Sequence, residues 1–223
     1  MSGRDAVLGK VKRALGVSGD EAVRKRSVAE RLESRKANLI PARGQVDREG
    51  RIALFTTLAE AVSGTVERVA APDGVPAAVA AYLRQHNLPA EFRAGADPAI
   101  AALPWEREPH LTRHAGPSDG SDVVALSRAF AGVAESGTLV LLSGPDNPTT
   151  LNFLPDAHIV MLAADDIAGD YETVWRRIRE QYGAGNMPRT TNLVTGPSRS
   201  ADIEQTLILG AHGPRALHII VVG

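Results

Sequence analysis

The sequence contains no cysteine among its 223 residues, and aromatic residues make up only 4% of it. The lack of thiols excludes a disulfide scaffold, a thiolate zinc site and a cysteine nucleophile. It also means that this chain cannot ligate an iron–sulfur cluster through thiolates of its own. A formal net charge of −1, together with so few aromatic side chains, argues against a nucleic-acid-binding surface.

Long apolar runs are missing as well. No segment approaches the roughly 20 apolar residues that cross a bilayer, and the N-terminus lacks the apolar stretch of about 7–15 residues found in signal peptides. We therefore expect a soluble, cytoplasmic protein without a membrane span. Because 43% of the residues are hydrophobic and the charges are balanced, we expect one main folded core rather than disorder.

Lysine is confined to one end of the sequence, since all four lysines lie within the first 36 residues. Residues 1–50 hold 12 basic and 7 acidic residues, whereas residues 131–223 hold 6 arginines, no lysine and 10 acidic residues. The C-terminal part therefore cannot supply a lysine for a Schiff base or a P-loop. Any anion bound there must be held by arginine side chains or by backbone amides.

The first 45 residues are predicted to form a helical arm. Apolar residues recur at helical spacing over residues 4–15, and an arginine-rich second helix with a thin apolar stripe is predicted over residues 20–39. We expect residues 1–45 to pack on a partner protein or on the main body. Residues 46–223 are predicted to form one α/β domain.

The main body is predicted to be a layered α/β fold with a largely parallel sheet. From residue 122 onward, short apolar runs rich in β-branched residues recur without alternation, which is typical of strands buried on both faces. The predicted strands are residues 123–126, 138–142, 158–162, 192–194 and 217–222. The clearest predicted helices are residues 49–63, 74–87, 171–182 and 202–209. In such a sheet, a ligand site is expected at the carboxyl ends of the strands.

Two loop clusters each present one candidate side chain. Glu135 lies in a tight turn just before a predicted buried strand. Its carboxylate could act as a nucleophile, a base or an anion-facing gate, or it could be a turn residue alone. His158 opens another buried strand and follows Asn152. It could titrate near neutral pH and bind an anion when protonated, or it could bond to a backbone carbonyl as a strand cap.

A third cluster, residues 195–204, follows a predicted strand and is predicted to open a helix. Gly196 permits an unusual backbone turn, and Ser200 suits the N-cap of that helix. Free amides at a helix start bind anions, and Arg199 adds a bidentate fork. Two carboxylates in the first turn would oppose an anion there and could instead pair with the arginine or hold a cation. These are Asp202 and Glu204.

The fourth cluster places His212 in a loop bounded by glycine and proline. Together with the two carboxylates above it could form a metal site, but no HxH or HExxH spacing supports one, and we predict none. A GxGxxG dinucleotide fingerprint is also absent from the sequence. The predicted ligand-binding residues are His158, Gly196, Ser198, Arg199, Ser200, Asp202, Glu204 and His212, with Glu135 as the candidate catalytic residue.

Four segments, taken in this order, resemble a known family. They are residues 134–138 (AESGT), 154–158 (LPDAH), 196–204 (GPSRSADIE) and 210–214 (GAHGP). Together they resemble the LUD-domain family, in its stand-alone lactate utilization protein C form. The resemblance is strong over residues 120–223 and looser before them. Serine stands at positions 136 and 200, where the family usually has threonine.

The resemblance implies a fold similar to that of sugar-phosphate isomerases and CoA-transferases. It also implies a role as the non-redox component of a three-part system that oxidises L-lactate to pyruvate, with the iron–sulfur clusters carried by partner proteins. No cofactor is then expected on this chain, and a small carboxylate or anion is the expected ligand. The turn at Glu135 is similar to the one that carries the nucleophilic glutamate of CoA-transferases. A CoA-transferase- or isomerase-like enzyme is therefore the alternative, and a small-anion sensor is a third possibility.

Overall fold

The computed structural model describes residues 2–200 and 208–223. The chain divides into two units, Met1–Leu39 and Ile40–Gly223. The domain boundary placed at residue 45 from the sequence stays a prediction. Two of the predicted site residues, Asp202 and Glu204, lie outside the described residues.

The first unit contains two helices, α1 (Gly3–Leu15) and α2 (Ala22–Ser34). A capping box starts α1: the Ser2 hydroxyl accepts the Asp5 N–H at 3.2 Å, and the Asp5 carboxylate accepts the Ser2 N–H at 3.0 Å. The α2 helix ends before the predicted residue 39, because Arg35 adopts a left-handed conformation with φ of 40°. Neither helix buries a residue, so the apolar stripes of both helices are exposed.

The second unit contains four further helices and twelve strands within the described residues. The helices are α3 (Arg48–Ala61), α4 (Val75–Gln85), α5 (Pro98–Ala101) and α6 (Tyr171–Tyr182). The strands are β1 (Thr65–Val69), β2 (Glu91–Ala94), β3 (Thr112–Ala115), β4 (Val124–Arg128), β5 (Ala131–Val133), β6 (Thr138–Leu142), β7 (Ala157–Ala163), β8 (Ile167–Ala168), β9 (Thr191–Val194), β10 (Arg199–Ser200), β11 (Ile208–Leu209) and β12 (Ala216–Val222). Short 3-10 helices lie at Ala42–Gly44, Pro72–Gly74, Trp105–Arg107, Thr149–Asn152 and Ala164–Asp166.

Six strands form a parallel sheet in the order β1-β12-β7-β4-β2-β3. Two interior strands, β7 and β12, pair over their whole length, from Ala157 opposite Ala216 to Ala163 opposite Val222. Their side chains are buried on both faces, which explains why their apolar runs do not alternate. The prediction of a layered α/β fold with a largely parallel sheet is confirmed.

A second sheet has the order β8-β5-β6-β9. Here β6 pairs antiparallel with both β5 and β9, and only β5 and β8 run parallel. The prediction that residues 192–194 form a strand buried on both faces is therefore wrong, since Leu193 is 47% exposed at the edge of this sheet. Helix α6 packs on one face of the sheet through its buried Val174 and Ile178.

Both faces of the parallel sheet are covered by apolar layers. On one face, Val79 of α4 shares a core cluster with Ile159 of β7. On the other, Phe55 of α3 and Leu139 of β6 pack with Val160. Because neighbouring residues of β7 serve opposite clusters, the second sheet lies over the parallel sheet together with α3. This arrangement carries the ends of β5 and β9 back towards the amino ends of the parallel strands.

Two local predictions are wrong. Residues 112–115 form the edge strand β3, although the region 95–122 gave no strand signal in the sequence; its polar side chains explain why. The helix predicted over residues 202–209 does not reach its predicted end. Residues 208 and 209 instead form strand β11, which pairs antiparallel with β10. Residues 202–207 of that helix lie outside the described part of the chain.

Candidate functional site

A cavity of about 230 Å³ lies at the amino ends of β7 and β12. Its lining comes from residues 152–153, His158, residues 193–199, residues 212–214 and Leu217. His158 and Leu217 are the second residues of their strands, so this amino-edge cavity lies at the opposite edge from the predicted carboxyl ends. The difference arises because β9 runs antiparallel to β6 and delivers the following loop to the amino edge.

Backbone contacts hold the two loops of the cavity together. The Ser198 N–H donates to the Pro214 carbonyl at 2.8 Å, and the Ser198 carbonyl accepts the Gly210 N–H at 2.9 Å. The Ser198 hydroxyl also accepts the His212 N–H at 3.1 Å. Gly196 has φ of 76°, and a Cβ there would lie 2.5 Å from the Val62 carbonyl oxygen at the end of α3. The loop conformation therefore requires glycine at position 196.

His158 is buried at the inner end of the cavity, with 1% of its surface exposed. Its Nε2 lies 3.0 Å from the Ser127 hydroxyl, rather than bonding to a backbone carbonyl. Burial lowers the pKa of His158 to about 3, because the charged ring would lose its hydration. The ring is therefore neutral near pH 7, which speaks against the predicted binding of an anion by protonated His158.

Arg199 and His212 are exposed and line the cavity. Arg199 lies in β10, where it pairs with Leu209, and Ser200 pairs with Ile208. The anion site predicted at the start of a helix is thus replaced at these two residues by a strand pair. Among the lining residues that the structure describes, no aspartate or glutamate occurs. The formal charge of this described lining comes from Arg199, and this favours an anionic ligand.

Glu135 lies apart from the other predicted residues, since it is not among the described residues of the cavity lining. It sits in the β5–β6 turn with 5% of its surface exposed, and its Oε1 accepts the Tyr171 N–H at the start of α6 at 3.1 Å. A carboxylate in this position stabilises a helix N-terminus. Its Oε2 is buried without a hydrogen-bond partner among the described residues. One oxygen therefore has a structural role, and the catalytic role of Glu135 stays a prediction.

A network of four hydroxyl groups connects the Glu135 turn to the cavity. Thr138 Oγ1 lies 2.8 Å from both Ser136 Oγ and Tyr171 OH, and 2.7 Å from Thr195 Oγ1. Thr195 itself lines the cavity. Gly137 closes the turn with φ of 65°, and its backbone packs on Ala59 of α3. The turn segment that resembles the LUD family therefore contacts the cavity lining through hydroxyl groups, and Glu135 is not among the described lining residues.

Two other kinds of site find no support in the described residues. Residues 2–200 and 208–223 contain no group of three or more His, Asp or Glu side chains suited to hold a metal ion. A Gly-x-Ser-x-Gly sequence at residues 116–120 lies between β3 and β4, with no helix after it. Its Ser118 is buried and accepts the Gly120 N–H at 3.2 Å, so it is not the exposed nucleophile of a hydrolase elbow.

Asn152 is a buried polar lining residue that the predicted set of ligand-binding residues did not include. It lies in the short 3-10 helix before β7, with 2% of its surface exposed. Neither its amide nitrogen nor its amide oxygen has a hydrogen-bond partner among the described residues. The sequence places it six positions before His158, but only the fold shows that both side chains line one cavity.

Comparison with known proteins agrees with the fold. A family model, the LUD domain, matches residues 52–222. The chain belongs to the LUD-domain family. Among its relatives, "Lactate utilization protein C" of Geobacillus sp. (strain WCH70) is 43% identical over 91 residues. The protein of the same name from Anoxybacillus flavithermus (strain DSM 21510 / WK1) is 39% identical over 90 residues.

These alignments cover only part of each relative. The match with the Geobacillus protein spans 40% of this LUD-domain chain and 38% of that protein. The match with the Anoxybacillus protein spans 40% of this chain and 39% of that protein. The crystal structure of a DUF162 family protein from Deinococcus radiodurans covers 80% of this chain and 99% of its own, with a TM-score of 0.54 and 22% identity. That likeness supports the fold of the LUD-domain protein alone. No helix in the described residues is long and apolar enough to cross a membrane.

Proposed function

We propose that this LUD-domain protein acts in lactate utilization and binds a small carboxylate in the amino-edge cavity. The relatives named lactate utilization protein C support the metabolic role. The observation that carries the binding proposal is the described lining itself, which includes Arg199 and His212 but no carboxylate side chain. An arginine fork can hold a carboxylate with two charge-assisted hydrogen bonds.

The proposal includes partner proteins. A chain without cysteine has no thiolates for an iron–sulfur cluster, and we infer that electrons released by lactate oxidation pass to other proteins. We infer that this chain is the non-redox component of a three-part system and that its partners carry the clusters. The basic residues and exposed apolar stripes of α1 and α2 are the surface that we assign to such a partner.

The binding proposal is tested by titrating the full chain with L-lactate and substituting Arg199→Gln. Ligand at 100 times its dissociation constant should stabilise the fold by about 2.7 kcal/mol. Because hydrogen bonds to charged groups contribute about 1.5–3 kcal/mol, Arg199→Gln should weaken binding about tenfold or more. Calorimetric titration and thermal unfolding both measure this effect.

Arg215→Gln is the matched control. It removes the same charge from the neighbouring loop, where Arg215 lies 3.4 Å from Asp156 in an exposed ion pair. Its lactate affinity should stay within about twofold of the wild type, as expected for an exposed pair. Equal losses in both variants would show a general charge effect, and failure of the wild type to bind any small carboxylate would overturn the proposal.

A further inference from the structure

The lining of the amino-edge cavity includes large apolar side chains that are open to solvent. Phe153 is 42% exposed and Leu193 is 47% exposed, and both line the cavity. Leu217 adds a buried apolar side chain to the same lining. Contact with water is unfavourable for apolar surface, and exposed apolar patches in proteins often mark binding sites. A ligand that covers Phe153 and Leu193 therefore gains affinity from hydrophobic burial.

These apolar side chains lie close to the arginine of the cavity. Leu209 is directly opposite Arg199 in the β10–β11 pair, and residues opposite each other in an antiparallel pair have their side chains on the same face. Leu209 is 48% exposed. A Cβ on Gly213 would lie 3.6 Å from Phe153 Cδ1 and 3.4 Å from Ser198 Cβ. The Phe153 ring is therefore close to the residue that precedes Arg199, and exposed apolar side chains border this arginine.

The cavity is larger than L-lactate requires. Its volume is about 230 Å³, whereas an apolar cavity of about 150 Å³ holds benzene, a molecule with six non-hydrogen atoms. In the same proportion, the amino-edge cavity has room for roughly nine non-hydrogen atoms. L-lactate has six, and its one methyl group is its only sizeable apolar part. The volume and the exposed apolar side chains both indicate a ligand with a longer hydrocarbon part.

We propose that the amino-edge cavity binds carboxylates that carry an apolar tail of about four to six carbon atoms. The tail length follows from room for roughly nine non-hydrogen atoms, three of which belong to the carboxylate group. This inference rests on the proposed carboxylate site and names the class of ligand. The carboxylate accepts from the Arg199 guanidinium, and the tail packs against Phe153, Leu193 and Leu217. L-lactate is then a short ligand that reaches the arginine and leaves most of the apolar lining uncovered.

Calorimetric titration of the full chain with propionate, pentanoate, heptanoate and nonanoate tests this inference, because these acids share one carboxylate and differ in tail length. A fully buried methylene contributes about 0.8 kcal/mol, or about fourfold in affinity. Since the lining is partly open, we expect an increase of about two- to fourfold per carbon atom, and of about tenfold or more from propionate to heptanoate. Nonanoate should gain less than about twofold over heptanoate, because its tail extends beyond the cavity. Heptan-1-ol has the tail without the charge and should bind about tenfold more weakly than heptanoate, or weaker still.

Leu193→Thr removes apolar surface from the lining at an exposed position of an edge strand, where threonine is well accepted. It should weaken heptanoate binding about threefold or more and keep propionate binding within about twofold of the wild type. Leu154→Thr is the matched control, because Leu154 is also 47% exposed but is not among the described lining residues. It should bind both acids as the wild type does. If Leu193→Thr does not fold, Phe153→Ala replaces it with the same expectations.

Three results would overturn this inference and leave the proposed carboxylate site intact. The first is equal affinity of the wild type for propionate and heptanoate, with Arg199 still required. The second is an equal loss of heptanoate binding in Leu193→Thr and Leu154→Thr. The third is self-association of the free chain that Leu193→Thr abolishes, which would assign Phe153 and Leu193 to an interface between two copies. The absence of binding by every acid, L-lactate included, would instead overturn the proposed function.

Discussion

Two cavities at opposite edges of the parallel sheet differ in their chemistry. At the amino ends of β7 and β12 the amino-edge cavity measures about 230 Å³, and its described lining has no aspartate or glutamate, unlike a second cavity of about 270 Å³ at the amino ends of β2 and β4 that is lined by Glu91 and Asp122. At the carboxyl edge a smaller cavity of about 130 Å³ includes Asp97 and Asp146 in its lining, next to Arg128. Asp97 lies 3.2 Å from Arg128 and accepts the N–H groups of Ala99 and Ile100 at the start of α5. Asp97 of this cavity thus pairs with Arg128 and caps the start of α5.

This contrast explains why a general rule about parallel sheets did not locate the candidate site. Ligands of open α/β sheets usually bind beyond the carboxyl ends of the strands. Here the second sheet folds over the parallel sheet, and β9 returns the loop with Ser198 and Arg199 to the amino ends of β7 and β12. The position of the candidate site depends on how the second sheet packs on the parallel sheet, and not on the parallel strands alone.

The largest effects that separate the two edges are expected from glycine substitutions. A Cβ on Gly95 would overlap the Asp146 carbonyl oxygen at the carboxyl edge, and one on Gly196 would crowd Val62 at the amino edge. Gly196 also has a positive φ, which adds strain for alanine. Both Gly95→Ala and Gly196→Ala should lower the free energy of unfolding by about 2–4 kcal/mol, as measured by urea denaturation.

Ligand binding then distinguishes the two substitutions. Gly196→Ala should weaken L-lactate binding severalfold at a temperature where the variant stays folded, because Gly196 lines the amino-edge cavity. Gly95→Ala should leave the affinity of the folded fraction unchanged. The reverse result, with loss of binding only in Gly95→Ala, would move the site to the carboxyl edge and contradict the comparison.

Much of the fold could be predicted from the sequence because local patterns determine it. The helical spacing of α3, α4 and α6 and the unbroken apolar runs of β6, β7 and β12 specified their burial without further information. The edge strand β3 (Thr112–Ala115) was missed because three of its four residues are polar and none is buried. The β10–β11 pair was missed because its partners, Arg199 and Leu209, are joined across a segment with helical spacing.

The candidate site was less predictable than the fold, for a physical reason. Loop motifs identified Gly196, Ser198, Arg199 and His212, and these do line one cavity with His158. Glu135 has the same kind of sequence signal, yet its carboxylate bonds to the start of α6 instead. Whether a loop side chain faces a cavity or a neighbouring helix depends on contacts between distant elements, which periodicity in one sequence does not encode.

A smaller effect is expected from acid, through two buried histidines. Burial lowers the pKa of His158 to about 3 and, together with a nearby His86, that of His218 to about 4. Glu67 Oε2 also faces His218, at 3.7 Å from Nε2. An unfolded chain has histidine pKa values near 6.5, so it binds more protons than the folded protein below that pH. Stability therefore rises with pH up to about 6.5 and falls on acidification.

The two histidines together should lower the free energy of unfolding by roughly 3 kcal/mol between pH 7.5 and pH 5.5, about half of it from each. His158→Asn should remove its half of this pH dependence, as measured by urea denaturation at both pH values. The contribution of His158 to L-lactate affinity should stay constant between pH 7.5 and pH 6.5, because burial keeps its ring neutral in this range. An affinity that rises as pH falls through this range would instead indicate anion binding by a protonated histidine.

The smallest effect is expected at Glu135. It distinguishes a structural role of this residue from a catalytic role. Glu135→Ala removes the acceptor of the Tyr171 N–H and should lower the free energy of unfolding by about 1–2 kcal/mol. Glu135→Gln keeps an amide oxygen in the same place and should cost less. Both variants should bind L-lactate within about twofold of the wild type, since the described cavity lining does not include this residue. If Glu135→Gln instead abolished an acyl-transfer activity while thermal unfolding stayed unchanged, the carboxylate would be acting as a nucleophile.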